Sequence, residues 1–209
     1  MPRGAVLGLA LGIPAAARQT IRTDPTYLID TRLHPEDRVA TAYKSWTFNA
    51  STRRVPEFTA PSLGSASNLV EIDVELKGGA SGVLYALGGS SGGVTCYMDK
   101  GRLVYLYNMM IIEQYSANSA APIAAGRHQI EVVTDIAGPG KSGTATLLVD
   151  GKEVGKADLT RTVPAAFTAS ETFDVGIDLG APVAAAYDAR RPFEFNGTIR
   201  SVRVELTGK

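Results

Sequence analysis

LVEIDVEL, residues 69–76, decides the fold. Val70, Ile72, Val74 and Leu76 fall on one parity and Glu71, Asp73 and Glu75 on the other, without exception. Side chains alternate across a strand with period two, so this stretch reads as a strand with one dry and one wet face. Working outward, GVLYALG, VTCYMDKG, RLVYLYN and IIEQYSA follow at short spacing. RHQIEVVTD, TATLLVDGKEVG and the terminal FEFNGTIRSVRVEL then carry further alternations. Asp99-Lys100-Gly101 and Asp150-Gly151 read as tight hairpin turns, and GGSSGG at 88–93 as a flexible hairpin connection. Strand after strand with tight turns predicts an all-β fold, an antiparallel β-sandwich over residues 46–209. The only helical pattern is near the N-terminus, and residues 24–61 read as an extended lead-in that wraps the sandwich.

Composition narrows the function. The 209 residues carry 21 basic and 21 acidic side chains, so no electrostatic drive toward nucleic acid or an anionic membrane is expected. A single cysteine, Cys96, excludes an intrachain disulfide, and two histidines, His34 and His128, are too few for most histidine metal sites. Residues 1–45 read as an irregular N-terminal arm. Within it Arg3, followed by a run from 4 to 17 without charge that ends in three alanines, has the pattern of a secretory signal. That pattern favours a periplasmic or extracellular location, and the run is too short for a transmembrane segment.

Four passages, in order, carry a resemblance: SWTFNASTRRVPEFTAPSL at 45–63, GVLYALGGSSGGVTCYMDKGRLVYLYN at 82–108, GTATLLVDGKEVG with the later RTVP at 143–164, and ETFDVGIDLGAPVAAAY with PFEFNGTI at 171–199. This series resembles the C-terminal domain of a group of bacterial arylsulfatases, a jelly roll of laminin-G or concanavalin-like kind. The resemblance implies an accessory domain without its enzyme. Such sulfatases build their nucleophile from a Cys/Ser-x-Pro-x-Arg motif, whereas Cys96 is followed by Tyr97-Met98-Asp99-Lys100. The expected function is a non-catalytic binding or assembly module, accessory to a sulfatase or active in protein assembly. A surface freed of the parent enzyme implies a homo-oligomer or a protein partner, with the arm crossing between subunits.

Two other classes stay open. A carbohydrate-binding module would use Tyr85, Tyr97, Tyr105, Tyr107 and Tyr115, whose rings can stack on a glycan while their hydroxyls hydrogen-bond. Tyr105 and Tyr107 share one face of their strand and Val104 and Leu106 the other. A hydrolase of unrecognised type would need a pair such as Cys96 with His128. No cofactor is implied except Ca²⁺, for which Asp174, Asp178 and Asp188 are the candidate ligands among turn-forming glycines. The Arg53-Arg54 and Arg190-Arg191 pairs read as local salt-bridge partners, and the sequons at Asn49 and Asn196 as chance matches.

Overall fold

The computed structural model describes residues 43–168 and 170–208. The arm, the signal-like run and the N-terminal helical pattern therefore fall outside the described residues, except for positions 43–45. Two six-stranded antiparallel sheets face each other. The first sheet runs in the order β1 (Ser45–Phe48), β12 (Thr198–Leu206), β3 (Asn68–Leu76), β8 (Gly126–Ile136), β9 (Gly143–Val149) and β10 (Lys152–Leu159). The second runs β2 (Val55–Pro56), β11 (Thr172–Val175), β4 (Gly82–Gly89), β5 (Gly92–Asp99), β6 (Arg102–Met109) and β7 (Glu113–Asn118). The stretch read as a lead-in thus supplies an edge strand to each sheet. Among the described residues the helical piece is a 3₁₀ turn at Ala185–Arg190, far from the N-terminus.

The alternation of β3 does what its pattern dictates. Val70, Ile72 and Val74 are fully buried and face Ile130 and Val132 of β8 and Val202 and Val204 of β12. Opposite them the second sheet points Leu87, Val94, Cys96, Met98, Leu103, Tyr105 and Tyr107 inward. Each fully buried aliphatic side chain here contributes roughly 1.5–3 kcal/mol by leaving water. All three expected hairpins form, and the two tight turns have the expected backbone. Lys100 and Gly101 have φ of 51° and 84°, and Asp150 and Gly151 have 52° and 74°. Positive φ at both central residues matches the strand twist, and glycine supplies the second at no steric cost.

Buried polar groups fasten the long loops onto the sheets. Tyr107 donates its hydroxyl to Gly64 O at 2.6 Å and accepts from Val163 N–H at 2.8 Å. The buried Glu57 carboxylate accepts from the N–H groups of Phe167 and Thr168 at 2.5 and 2.8 Å. Where the edges of the sheets meet, Glu113 of β7 accepts from the Thr160 hydroxyl at 2.6 Å, from the Tyr115 hydroxyl and from the Arg161 guanidinium. These donors, Thr160 first, hold its carboxyl at about 2.

Candidate functional site

The outward-facing residues at the centre of the second sheet are mostly apolar, so this face needs a cover. Val83 and Ala86 of β4, Tyr97 of β5 and Val104 of β6 point away from the main core and form a second buried cluster. Residues 178–195 supply the cover, packing Val183, Ala184, Tyr187 and Phe193 onto those four. The Tyr187 ring stands edge-on to Tyr97 at 5.1 Å and stacks on Phe193 at 5.2 Å. Asp178 ties the segment down: its Oδ2 accepts from the Tyr187 hydroxyl at 2.5 Å and from Val183 N–H at 3.0 Å. Burial pushes the Asp178 carboxyl above its ordinary value, more strongly than these two donors lower it, and the nearby Asp174 and Glu171 push the same way. At the far end Arg190 lies 4.1 Å over the Phe193 ring and donates to Asp99 at 2.8 Å.

The cover stops at Leu106, which is half-buried at its rim. Beyond it, Gln114, Ser116 and Asn118 of β7 are exposed and point to the same side. Ser116 lies directly opposite Leu106 in the ladder, Asn118 opposite Val104, and Gln114 opposite Asn108. Asn118 Nδ2 donates to Ser116 Oγ at 3.0 Å, which fixes the orientation of both side chains. Asn108 is buried and occupied: its Nδ2 donates to Ser90 O at 3.0 Å and its Oδ1 accepts from Ile111 N–H at 3.0 Å. Arg102 closes one end, donating to the carbonyls of Ser119 and Ala120 at 3.2 and 2.7 Å. The result is an open shelf with an aliphatic floor at Leu106, a wall formed by the cover, and two amides and a hydroxyl along its outer side. Such groups donate and accept hydrogen bonds without charge.

The sequence candidates lie elsewhere. Tyr85, Tyr105 and Tyr107 do point to one side of the second sheet, but that side is the sandwich interior, where each is no more than 1% exposed. Tyr97 is buried on the other side, beneath Tyr187 and Phe193. Tyr115 is half-buried, with its hydroxyl on Glu113 and 2.7 Å from Thr160 Oγ1. These rings are packing elements, so the expected tyrosine platform is corrected. The three aspartates do not form one ligand set either. Asp174 Oδ1 accepts from Arg54 N–H at 2.6 Å and its Oδ2 from the Thr172 hydroxyl at 3.0 Å, Asp178 serves the cover, and Asp188 pairs with Arg191 at 3.1 Å. Among the described residues no group of three acidic, histidine or cysteine side chains is placed to hold a metal ion. Cys96 and His128 are not brought together. Cys96 is fully buried, which raises its thiol pKa, and His128 of β8 bonds Asp150 at 2.7 Å and Ala124 O at 3.1 Å. In EQYSAN the signal for the shelf residues is parity alone, which sets Gln114, Ser116 and Asn118 opposite to Tyr115.

No family model matches the chain, and neither does any curated protein sequence. Solved structures share its fold at low identity. The CBM40 module of the Ruminococcus gnavus IT-sialidase is 12% identical with a TM-score of 0.51, over 80% of this chain and 92% of that one. The leech intramolecular trans-sialidase is 12% identical with a TM-score of 0.53, over 80% of this chain and 27% of that one. The LG1–3 region of the laminin α2 chain is 14% identical with a TM-score of 0.49, over 77% of this chain and 30% of that one. This chain therefore spans under a third of the laminin and trans-sialidase structures and nearly all of the CBM40 module. What the CBM40 and trans-sialidase likenesses establish is the sandwich.

Proposed function

We propose that this chain is a non-catalytic glycan-binding module whose ligand lies along the shelf beside Leu106. The observation that carries this reading is the end of the cover. It leaves Gln114, Ser116 and Asn118 open next to an aliphatic floor, and a sugar ring offers the matching surface of hydroxyls and C–H groups. The fold likeness to the CBM40 module, solved also with α2,3-sialyllactose, supports it and makes sialylated and neutral oligosaccharides the natural first set. The test is retention of the full chain on an array of both kinds. The Gln114→Ala, Asn118→Ala double variant is expected to bind about tenfold more weakly, the loss of roughly one well-made hydrogen bond. Undiminished binding by the variant, or no retained oligosaccharide, overturns the reading.

A protein-assembly role, with the sulfatase likeness resting on the four sequence passages, is the second reading. It is favoured by the β6–β7 turn, where Ile111 and Ile112 are 69% and 63% exposed. Light scattering on the full chain separates the two, since assembly predicts an oligomer that Ile111→Asn, Ile112→Ser breaks.

A further inference from the structure

The edge strands of the two sheets are not equally protected. An edge strand presents unpaired N–H and C=O groups to any extended chain, and proteins blunt it by shortness, proline, charge or a neighbouring element. β7 and β10 shield each other. Gly155 of β10 lies so close to β7 that a Cβ there would fall 2.6 Å from Asn118 O, and the Tyr115 hydroxyl is 2.7 Å from Thr160 Oγ1 just beyond β10. β2 is two residues long and ends in Pro56. Among the described residues β1 has none of these devices. Its sequence, Ser45-Trp46-Thr47-Phe48, holds no charge and no proline, and it follows β12 in unbroken register. Lys44 O accepts from Leu206 N–H at 2.8 Å, so the main-chain groups of Lys44, Trp46 and Phe48 face β12. Those of Ser45 and Thr47 point away from the sheet, and both residues are exposed. Trp46 packs against the main core yet is only half-buried on this end strand.

We infer that β1 docks on β1 of a second copy, antiparallel and about a two-fold axis at Trp46, so that the two first sheets run on as one. This register sets Ser45 of each copy opposite Thr47 of the other, and each such pair exchanges both of its N–H···O bonds. A strand whose outward groups lie symmetrically about its centre fits itself, which favours a second copy over an unrelated peptide. At the axis the two Trp46 residues form a directly opposed pair without main-chain bonds, the closer kind of cross-strand pair, and each indole covers part of the other. On the outer face Arg203 of β12 stands beside Thr47 and Glu205 beside Ser45. The two-fold therefore sets Arg203 of one copy in line with Glu205 of the other, whereas an in-register parallel pairing would line up like charges. The contact is short and falls below the ~800 Å² per partner of a standard complex, so the dimer is a weak one, with a dissociation constant of about 100 µM. It is independent of the glycan shelf, which lies on the other sheet and at its opposite edge.

Light scattering of the full chain from about 10 µM to about 1 mM tests this, with the emission of Trp46, the single tryptophan, as a second readout. The mass is expected to rise toward that of two copies over this range while the emission moves to the blue. Thr47→Pro removes an outward N–H and leaves the bonds to β12, and Thr47→Lys sets a charge on the edge. Each should weaken association about tenfold or more, with the melting temperature of the dilute protein in place. Ile111→Asn, Ile112→Ser should leave this dimer unchanged. A monomer throughout the range overturns the inference, as does a dimer that both Thr47 variants leave intact or one that the tip variant breaks. Oligosaccharide retention is expected to be the same in the Thr47 variants, so the shelf and the edge fail or succeed separately.

Discussion

The two outer faces of the sandwich solve the same problem in opposite ways. On the first sheet the outward positions of β3 are Glu71, Asp73 and Glu75, and the flanking strands answer with arginines. Arg127 meets Asp73 in a two-pronged pair at 2.9 and 2.7 Å, Arg203 reaches Glu71 at 3.4 Å and Glu205 at 3.0 Å, and Arg200 reaches Glu75 at 3.5 Å. That face is wet, each β3 acid is paired with an arginine, and it needs no cover. On the second sheet β4 and β5 are buried along almost their whole length, and their outward residues are mostly apolar. Covering them takes the non-strand chain of residues 178–195. A face that must be covered can be covered incompletely, and the shelf lies where the cover ends. The fully solvated face has no such boundary.

If the cover is a true core layer, the largest effect comes from Tyr187→Ala. The side chain is fully buried, packs on two rings and donates to Asp178. Removing it should cost about 3–5 kcal/mol in urea unfolding, the range for buried aromatic-to-alanine changes. A loss below about 1 kcal/mol would mean that the segment only rests on the sheet.

Asp178→Asn sharpens the contrast through pH. An acid whose folded pKa is raised favours its protonated form in the fold. Its contribution to stability is therefore complete below the unfolded pKa and declines as pH rises through the folded one. Asparagine retains an oxygen to accept from Tyr187 and Val183 and does not ionise. Relative to the wild type, the variant should thus gain stability as pH rises from about 4 to 7. Parallel profiles would remove the buried charge from the account of the cover.

The same contrast explains what could be read from sequence. The wet-and-dry alternation of β3 and the glycine-bearing turns at Gly101 and Gly151 are local signals, and both appear in the fold. In β6 the parity of Tyr105 and Tyr107 was legible, but which parity faces the core depends on the opposing sheet and is not written in RLVYLYN. The covering stretch DLGAPVAAAYDARRPF has no period to report, because its role is set by the apolar face beneath it. The β6–β7 turn hid for another reason. Met110 and Ile111 take φ of 52° and 68° without a glycine or asparagine, held by Asn108 Oδ1 on the Ile111 N–H. For the shelf, the outward parity of Gln114, Ser116 and Asn118 was available from EQYSAN. That they remain open follows from where a segment some 60 residues later stops.

The smallest effect belongs to the wet face, and it tests whether that face is held together by its charges at all. Arg127 is 64% exposed and Asp73 22% exposed, so their pair, although well formed, works in a medium close to bulk water. Attraction there is weak, and ordering a long guanidinium opposes it. Arg127→Ala should move the urea midpoint by less than about 0.3 M, and even that shift should fade in about 1 M salt, where screening acts within a few ångströms. Urea is the right denaturant because guanidinium would itself screen the pair. The Asp73 carboxyl, now held below its ordinary value chiefly by the Arg127 hydrogen bond, should return toward that value in the variant. A midpoint shift approaching that of Tyr187→Ala would break the comparison. It would mean that the ladder of charges on the first sheet is as structural as the cover on the second, and that a solvated face can be as constrained as a buried one.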